Sequence, residues 1–448
     1  MTSMELPWWV TDCLQALEQA GYAAWAVGGC VRDACLQKQP HDYDLCTQAL
    51  PSEMRRVFTG RKLCLAGEKH GTVGVITEGG VVEITTFRSE GSYGDNRHPD
   101  WVSFVPKVEE DLARRDFTIN AMAYSPSRGF ADPFSGREDL ENHILRAVGD
   151  PETRFTEDAL RILRGVRFAI RFRLRVEEKT MEAMVRKAEL LDNLARERVF
   201  EELCGILPLA DAEDLKRFAP VLCAAIPELA PMVDFDQRTP HHAYDLYTHT
   251  ALVVQQVPGD LTLRWAALLH DVGKVPTFTL DGEGRGHFYG HDRAGAEIAD
   301  GIFRRLKAPT ALREQAVTLI SQHMNPLLPD KKQLRRRISR LGFPVTERLL
   351  ALQKADCCSK GADVRQALAE FEAVGRMLEE LQREDTCLKV TDLKLSGYDL
   401  MELGYEGKAI GTCLQRLFAL CMEEKIPNER TALLREAKKS APAELPDA

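Results

Sequence analysis

The hydrophobic period of this 448-residue chain changes near residue 150, and that change constrains the fold more than any single motif. Up to about residue 145, short apolar runs alternate with helical signals. AAWAV (23–27), VGVIT (73–77), VVEITTF (81–87) and WVSFV (101–105) are brief, β-branched or aromatic, and bounded by glycine or polar turns, as strands are. VRDACLQ (31–37) and PSEMRRVF (51–58) carry helical patterning between them. Beyond about residue 150 the period of two disappears. LRILRGVRFAI, EKTMEAMVRKAELL, REQAVTLISQHM and TCLQRLFALCMEE instead repeat apolar residues every three to four positions. The expected fold class is α+β, a head with a small mixed sheet followed by an all-helical remainder. Junctions at Pro227, Pro231 and Pro240 divide the helical part. The expected domains are 1–145, 146–235, 236–365 and 366–448, with about the last fifteen residues a frayed tail.

A chain this long exceeds one compact core. With 44% hydrophobic and 28% charged residues it is globular in composition, not disordered. No stretch approaches the roughly 18 uncharged apolar residues of a membrane span, and MTSMELPWWV has no basic-then-apolar leader. A cytoplasmic protein with no membrane partner is expected. Twelve cysteines occur without a CxxC pair, so reduced thiols without a function are expected. A net charge of −9 gives no global argument for nucleic-acid binding. Two local clusters are basic, RFTEDALRILRGVRFAIRFRLR (154–175) and KKQLRRRISR (331–340); such runs are commonly solvated faces and elsewhere phosphate contacts.

Four motifs in the first 175 residues carry chemistry. In AVGGCVRD (26–33), a strand ends at Val27 and a helix follows, so Gly28 and Gly29 allow close approach to a ligand. Arg32 sits in the first turn, where it can pair with a phosphate. In HDYDL, Asp42 and Asp44 are two residues apart, and on a strand they would share a face. Like charges held so close suit a divalent cation, although a surface turn also carries two acids. Glu83 is an acid within the apolar strand VVEITTFR, either a third carboxylate or a solvent-facing residue. In LARRDFTINAMAY (112–124), Arg114, Arg115 and Asp116 precede an apolar helix opening, with Asn120 one turn on; they suit a ribose or phosphate contact or a helix cap. Finally, Arg161, Arg164, Arg167 and Arg171 share one side of a helix, with Asp158 a turn before Arg161. An acid and an arginine there can read a base edge or form a plain ion pair.

The ordered set GGCVRD, DYD, RRDFTINA, DPFSGREDL and RFTEDALRILRGVRF resembles the family of CCA-adding enzymes and bacterial poly(A) polymerases, within the DNA polymerase beta-like nucleotidyltransferases. The match covers about residues 20–200 and resumes in LKVTDLKLSGYDLMELGYEGKAIG and IPNERTALL. The resemblance implies a polymerase beta-like head, then a neck and body, an HD domain and a tail. It also implies template-independent addition of CCA to tRNA from CTP and ATP. Gly28, Gly29 and Arg32 would hold the triphosphate. Asp42 and Asp44 would bind two Mg2+ ions, with Glu83 as third carboxylate. Arg115 and Asp116 would contact the ribose. Asp158 and Arg161 would select the base, supported by Arg164 and Arg167. The segment RSEGSYGDNRHPDW (88–101) would be a mobile loop that helps the site change from C to A addition, and the tail would contact tRNA.

A second constellation lies between residues 241 and 356. In RWAALLHDVGK, His270 and Asp271 end an apolar helix, a setting that suits a bound metal because both groups are costly to bury unpaired. His249 upstream, then His291, His323 and Asp356, give the order H…HD…H…H…D. That order resembles the HD superfamily of metal-dependent phosphohydrolases, some with one metal and some with two. It implies a divalent transition metal and phosphohydrolase 3′-end repair, with Lys274 reaching a phosphate. His287 and the pair His241 and His242 read as surface residues. The alternatives are a poly(A) polymerase, a partial enzyme adding only CC or only A, or an HD phosphohydrolase with an RNA-binding head. Poly(A) polymerases of this type tend to carry long basic extensions, and this chain is acidic.

Overall fold

A computed structural model of the chain describes residues 3–91, 102–239, 243–361, 364–384 and 387–439. They fall into two compact units, Met1–Ala230 with Arg305–Lys307, and Pro231–Arg304 with Ala308–Ala448. The expected loop falls largely, and the expected frayed tail mostly, outside the described residues, as do His241 and His242.

The first unit opens with a sheet. Its strands in chain order are β1 Ala24–Val27, β2 Asp44–Thr47, β3 Leu63–Cys64, β4 Thr72–Thr77, β5 Gly80–Thr86, β6 Arg88–Glu90, β7 Val102–Phe104, β8 Ala123–Ser125 and β9 Gly129–Ala131. Seven of them form one mixed sheet in the order β3-β4-β5-β2-β1-β8-β9, while β6 and β7 pair separately. Only β2 and β5 run parallel within it. Every residue of β1 is buried, as expected of a central strand. β5 alternates: Val82, Ile84 and Thr86 point inward, which turns Glu83 to the open face. A core of Trp25, Val27, Cys46, Phe87 and Leu112 lies against the sheet.

Two local expectations are corrected. The strand carrying the paired acids starts at Asp44, so Asp42 sits in the bend before it and strand alternation does not place it. No helix opens after Asp116 either. Helix Val108–Ala113 precedes the motif, and only a 3-10 turn, Thr118–Asn120, follows. The reason is backbone pairing: Thr118 N–H donates to the Arg146 carbonyl at 2.9 Å and Val148 N–H to the Asp116 carbonyl at 3.1 Å, so the segment is held extended.

The neck begins at helix Pro151–Glu157, where Asp150 accepts from Thr153 N–H and proline occupies the first turn. Helix Leu160–Phe172 follows, burying Ile162, Leu163, Val166, Ala169 and Ile170. It stops at Arg173, whose φ of 53° is left-handed. Gly165 permits a close approach to the head: a Cβ there would lie 2.8 Å from the Phe117 ring.

Among its described residues, the regular structure of the second unit is helical apart from the short hairpin Thr279–Leu280 and Gly286–His287. Helices Leu246–Gln256 and Leu261–Leu269 are capped by Asp245 and Asp260. Helices Thr310–Gln322, Lys331–Leu341 and Phe343–Cys358 follow, and Leu400, Leu417 and Leu433 centre a further core near the C-terminus. No helix among the described residues is long and apolar enough to cross a membrane. All twelve cysteines are free.

Candidate active site and metal centre

At the open face of the sheet, the parallel register places Asp44 directly opposite Glu83. Asp44 keeps one side open to solvent, but the surrounding walls desolvate its carboxylate and raise its pKa. The charges of Glu83 and Asp42 raise it further, and Arg115 opposes them. The three acids and one guanidinium are thus electrostatic neighbours. Arg115 reaches this place because Gly28, at φ 76°, has no Cβ; one built there would lie 2.8 Å from Arg115 Nη1. On its other side Arg115 is tied to Asp111 at 3.4 Å. Asp111 is fully buried and also accepts from Arg114 and from Arg88 N–H. Sequence reasoning missed it, although its signal is present: an acid three and four residues before the two arginines.

Arg32 is buried against the neck. Three of its five N–H donors are used: Nη1 donates to Asn120 Oδ1 at 2.7 Å, and Nε and Nη2 to Asp33 at 2.9 and 2.7 Å. Its guanidinium lies 4.5 Å from the Phe172 ring centre. Gly29 stands next to it, with Arg32 Nη2 3.7 Å from where its Cβ would be.

Asp116 is not placed at the surface. One oxygen accepts Phe117 N–H and the Asn120 amide, and the other takes both Nε and Nη2 of Arg164 at 2.9 and 2.8 Å. Burial would raise its pKa, but Arg164 and the Asn120 bond win and hold it at about 2. Asp116, Asn120 and Arg32 therefore form one chain of bonds ending on Arg164. Arg161 and Asp158 are not bonded to each other through side chains. Arg161 donates to Glu157 at 2.6 Å and to the Arg114 carbonyl at 3.0 Å, whereas Asp158 caps Leu160 N–H and faces Arg198 at 3.6 Å. Arg167 pairs with Glu202 at 2.7 Å. Glu157, Arg198 and Glu202 are supports that spacing alone did not reveal.

In the second unit, five separate segments converge. His249 comes from helix Leu246–Gln256, His270 and Asp271 from the end of Leu261–Leu269, His291 from the start of a helix, His323 from the cap after Thr310–Gln322, and Asp356 from Phe343–Cys358. Asp271 is central. Its Oδ2 lies 3.2 Å from His270 Nε2 and 3.6 Å from His249 Nε2, and its Oδ1 lies 3.4 and 3.8 Å from Nε2 of His291 and His323. His249 Nε2 is also 3.1 Å from Asp356. The histidine Nδ1 atoms face backbone carbonyls: His270 that of Ala267 at 2.8 Å, His291 that of Phe288 at 2.7 Å, His323 that of Ile320 at 2.6 Å, and His249 that of Ser359 at 3.3 Å. A carbonyl only accepts, so Nδ1 carries the hydrogen and Nε2 turns its lone pair inward. His291 and His323 Nε2 stand 3.3 Å apart, two acceptors face to face. This donor set fits divalent cations: two triads, His249–His270–Asp271 and Asp271–His291–His323, have Asp271 in common. Among the described residues, triads this tight occur only here. Burial lowers the His323 pKa to about 4, keeping its imidazole neutral.

Lys274 lies inside the cluster. It is buried, 2.7 Å from Asp271 Oδ2 and 2.9 Å from Gln237 Oε1, and so steadies that acid. His287 stays outside the cluster, bonded to Asp281 at 2.9 Å.

The mixed sheet with its open carboxylates, and the helical unit with its histidine cluster, have the fold of a polymerase beta-like head followed by an HD domain. The poly A polymerase head domain family matches residues 24–146, the HD domain family residues 246–361, and a family described as a probable RNA and SrmB-binding site of polymerase A residues 173–215. The CCA-adding enzyme of Lactobacillus helveticus is 51% identical over 189 residues, 42% of this chain and 47% of that relative. That of Levilactobacillus brevis is 42% identical over 264 residues, 58% of this chain and 63% of that relative. These matches span about half the length of the curated relatives. A solved structure of the Bacillus stearothermophilus CCA-adding enzyme in complex with CTP aligns with TM-score 0.66 and 26% identity, over 97% of this chain and 98% of that one. The chain carries both domains and is a relative of the CCA-adding enzymes.

Proposed function

We propose that this chain is a CCA tRNA nucleotidyltransferase, adding CMP twice and AMP once from CTP and ATP to the 3′ end of tRNA, with phosphohydrolase 3′-end repair in its HD unit. The observation that carries the first part is the parallel register of Asp44 with Glu83 beside the Gly28 turn and Arg115. Acids so arranged on an open face suit Mg2+, with Asp42 as the third neighbour. When bound, magnesium would activate the 3′-hydroxyl and steady the departing pyrophosphate. The chain's own residues position the reactants. Gly28 and Gly29 let the triphosphate approach the backbone, with Arg115 and the remaining donors of Arg32 as its cationic contacts. Asp158, partly exposed, presents an acceptor to the base, with Arg161 braced beside it. Arg164 and Arg167 back that face from the neck. Asp116 acts on the ribose side through Asn120 and Arg164 rather than by its own buried oxygens. Residues 1–145 form the catalytic head, 146–235 the neck, 236–365 the HD unit and 366–448 the tRNA-contacting tail. For the HD unit, His and Asp triads sharing Asp271 suit a divalent transition metal.

The test is extension of a tRNA lacking its last three nucleotides, with CTP, ATP, both or neither. The expected products are CC from CTP alone and a stop at CCA with both. A long A tail from ATP alone would replace this reading with a poly(A) polymerase, and a stop at CC or addition of a lone A with a partial enzyme. No extension alongside phosphate release from a 3′-phosphorylated RNA would leave an HD phosphohydrolase with an RNA-binding head.

A further inference from the structure

The basic run on helix Lys331–Leu341 belongs to neither site, and the structure sorts its charges. Lys331 is balanced by Glu380 and Glu384 at 3.0 and 3.2 Å, and Arg335 by Glu384 and Glu424. Arg336 reaches Glu423 at 3.4 Å. Arg337 and Arg340 have no carboxylate partner among the described residues. Both guanidiniums instead donate to one neutral oxygen, Gln322 Oε1, at 2.8 and 2.6 Å. Two like charges meeting on a single amide repel each other and are not neutralised by it. Burial, with Arg340 adding to it, lowers the pKa of Arg337.

These guanidiniums open on space. Arg336, Arg337 and Arg340, with Gln322, Asn325 and Gln333, line a cavity of about 750 Å³, the size of a ligand site. Its wall includes the end of the helix that leads into His323. Gln322 precedes His323 in the chain. Gln353 donates to the carbonyls of both His323 and Asn325, at 3.0 and 2.8 Å, and accepts Leu327 N–H at 3.1 Å. Cavity and metal centre therefore share one helix end and one bracing amide.

We propose that this cavity holds a backbone phosphate of an RNA strand whose 3′ end is the substrate of the HD centre, so that the centre acts on oligonucleotide ends rather than free nucleotides. The proposal rests on the hydrolase reading of the HD unit. An anion is what uncompensated guanidiniums bind, and their planar forks match phosphate oxygens in pairs. A nucleoside monophosphate spends its one phosphate at the centre of hydrolysis, whereas a longer strand keeps another for the cavity.

The full-length protein is treated with phenylglyoxal, with and without a 3′-phosphorylated RNA trinucleotide, and modification is read at each arginine by mass spectrometry. The trinucleotide is expected to slow modification of Arg337 and Arg340 about fivefold, as a charge-assisted contact would. The exposed Arg304, paired with Asp300, serves as reference. Inorganic phosphate at the same concentration is expected to protect less. Absence of protection, or equal protection by inorganic phosphate, overturns the proposal. Arg340→Gln is then compared with the parent protein on the trinucleotide and on a mononucleotide 3′-phosphate. The ratio of the two kcat/KM values is expected to fall about tenfold through KM, equivalent to about 1.4 kcal/mol; an unchanged ratio overturns the assignment. Protection without hydrolysis of either substrate by the parent protein refutes the hydrolase reading and this substrate with it, whereas hydrolysis without protection refutes the cavity alone.

Discussion

Replacing Asp116 by Asn removes one negative charge from the interior and leaves the side chain's shape in place. The carboxylate is 7% exposed, bonded twice to Arg164, and held at about 2 against an ordinary value of 3.8. A displacement of that size is worth about 2 kcal/mol of folding free energy at neutral pH. Arg164 remains partly open to water, which tempers the effect of leaving it unpaired. The sign follows from linkage. The native state binds this proton less readily than the unfolded chain, so the stabilisation is complete well above 3.8 and is lost as pH falls toward 2. It should be roughly halved near pH 3 and nearly gone at about pH 2. Urea unfolding of parent and variant, followed by tryptophan fluorescence, reads this in the first unit, where Trp8, Trp9 and Trp25 lie. The midpoints should differ at pH 7 by the equivalent of about 2 kcal/mol, and the gap should close as the solution is acidified. An Asp116→Asn variant as stable as the parent at pH 7, or a gap independent of pH, would refute the claim that the Arg164 pair sets this carboxylate.

Asp44→Asn should abolish nucleotide addition while leaving HD hydrolysis intact, and Asp271→Asn should do the reverse; gel extension and phosphate release measured on the same preparations check both. Gly28→Ala combines a left-handed φ of 76° with a Cβ 2.8 Å from Arg115 Nη1, and should cost about 1–3 kcal/mol in strain while weakening CTP affinity in equilibrium titrations. Gly273→Ala would drive a Cβ to 2.2 Å from the His291 carbonyl oxygen and 2.4 Å from Gly295 N, so bound metal measured by elemental analysis should fall well below that of the parent. Lys274→Met strands Asp271 without its buried cation at 2.7 Å, a loss of about 3–5 kcal/mol for half of a buried pair; thermal melting of the second unit should show it.

The histidine and aspartate cluster was legible because its residues are improbable where they stand. An imidazole and a carboxylate closing an apolar helix announce a partner whatever the fold, and all six positions from His249 to Asp356 converge in space. The strands around Trp25 and Glu83 were legible for a simpler reason, since alternation at period two is local. What the sequence hid is pairing over distance. Gln237 reaches Lys274 across 37 positions and Ser359 reaches His249 across 110, and neither residue type advertises such a role. The same blindness misread the stretch after Asp116, where pairing with Arg146 and Val148 overrides an apolar pattern that suits a helix.

The two sites also manage charge by opposite means, which explains why one was easier to read. In the head, Asp44 and Glu83 stay on an open sheet face and Arg115 offsets their mutual repulsion; exposed acids look like any solvated turn, so their meaning depended on the motifs around them. In the second unit the charges are buried, and burial demands that every ring be fixed, which the four carbonyls facing Nδ1 accomplish. Such a centre tolerates few substitutions, because removing one ligand leaves the others as uncompensated buried groups. The head can lose a carboxylate and remain folded. A loss of function at Asp44 with unchanged melting, set beside a loss of function at Asp271 with lowered melting, is the pattern this difference requires.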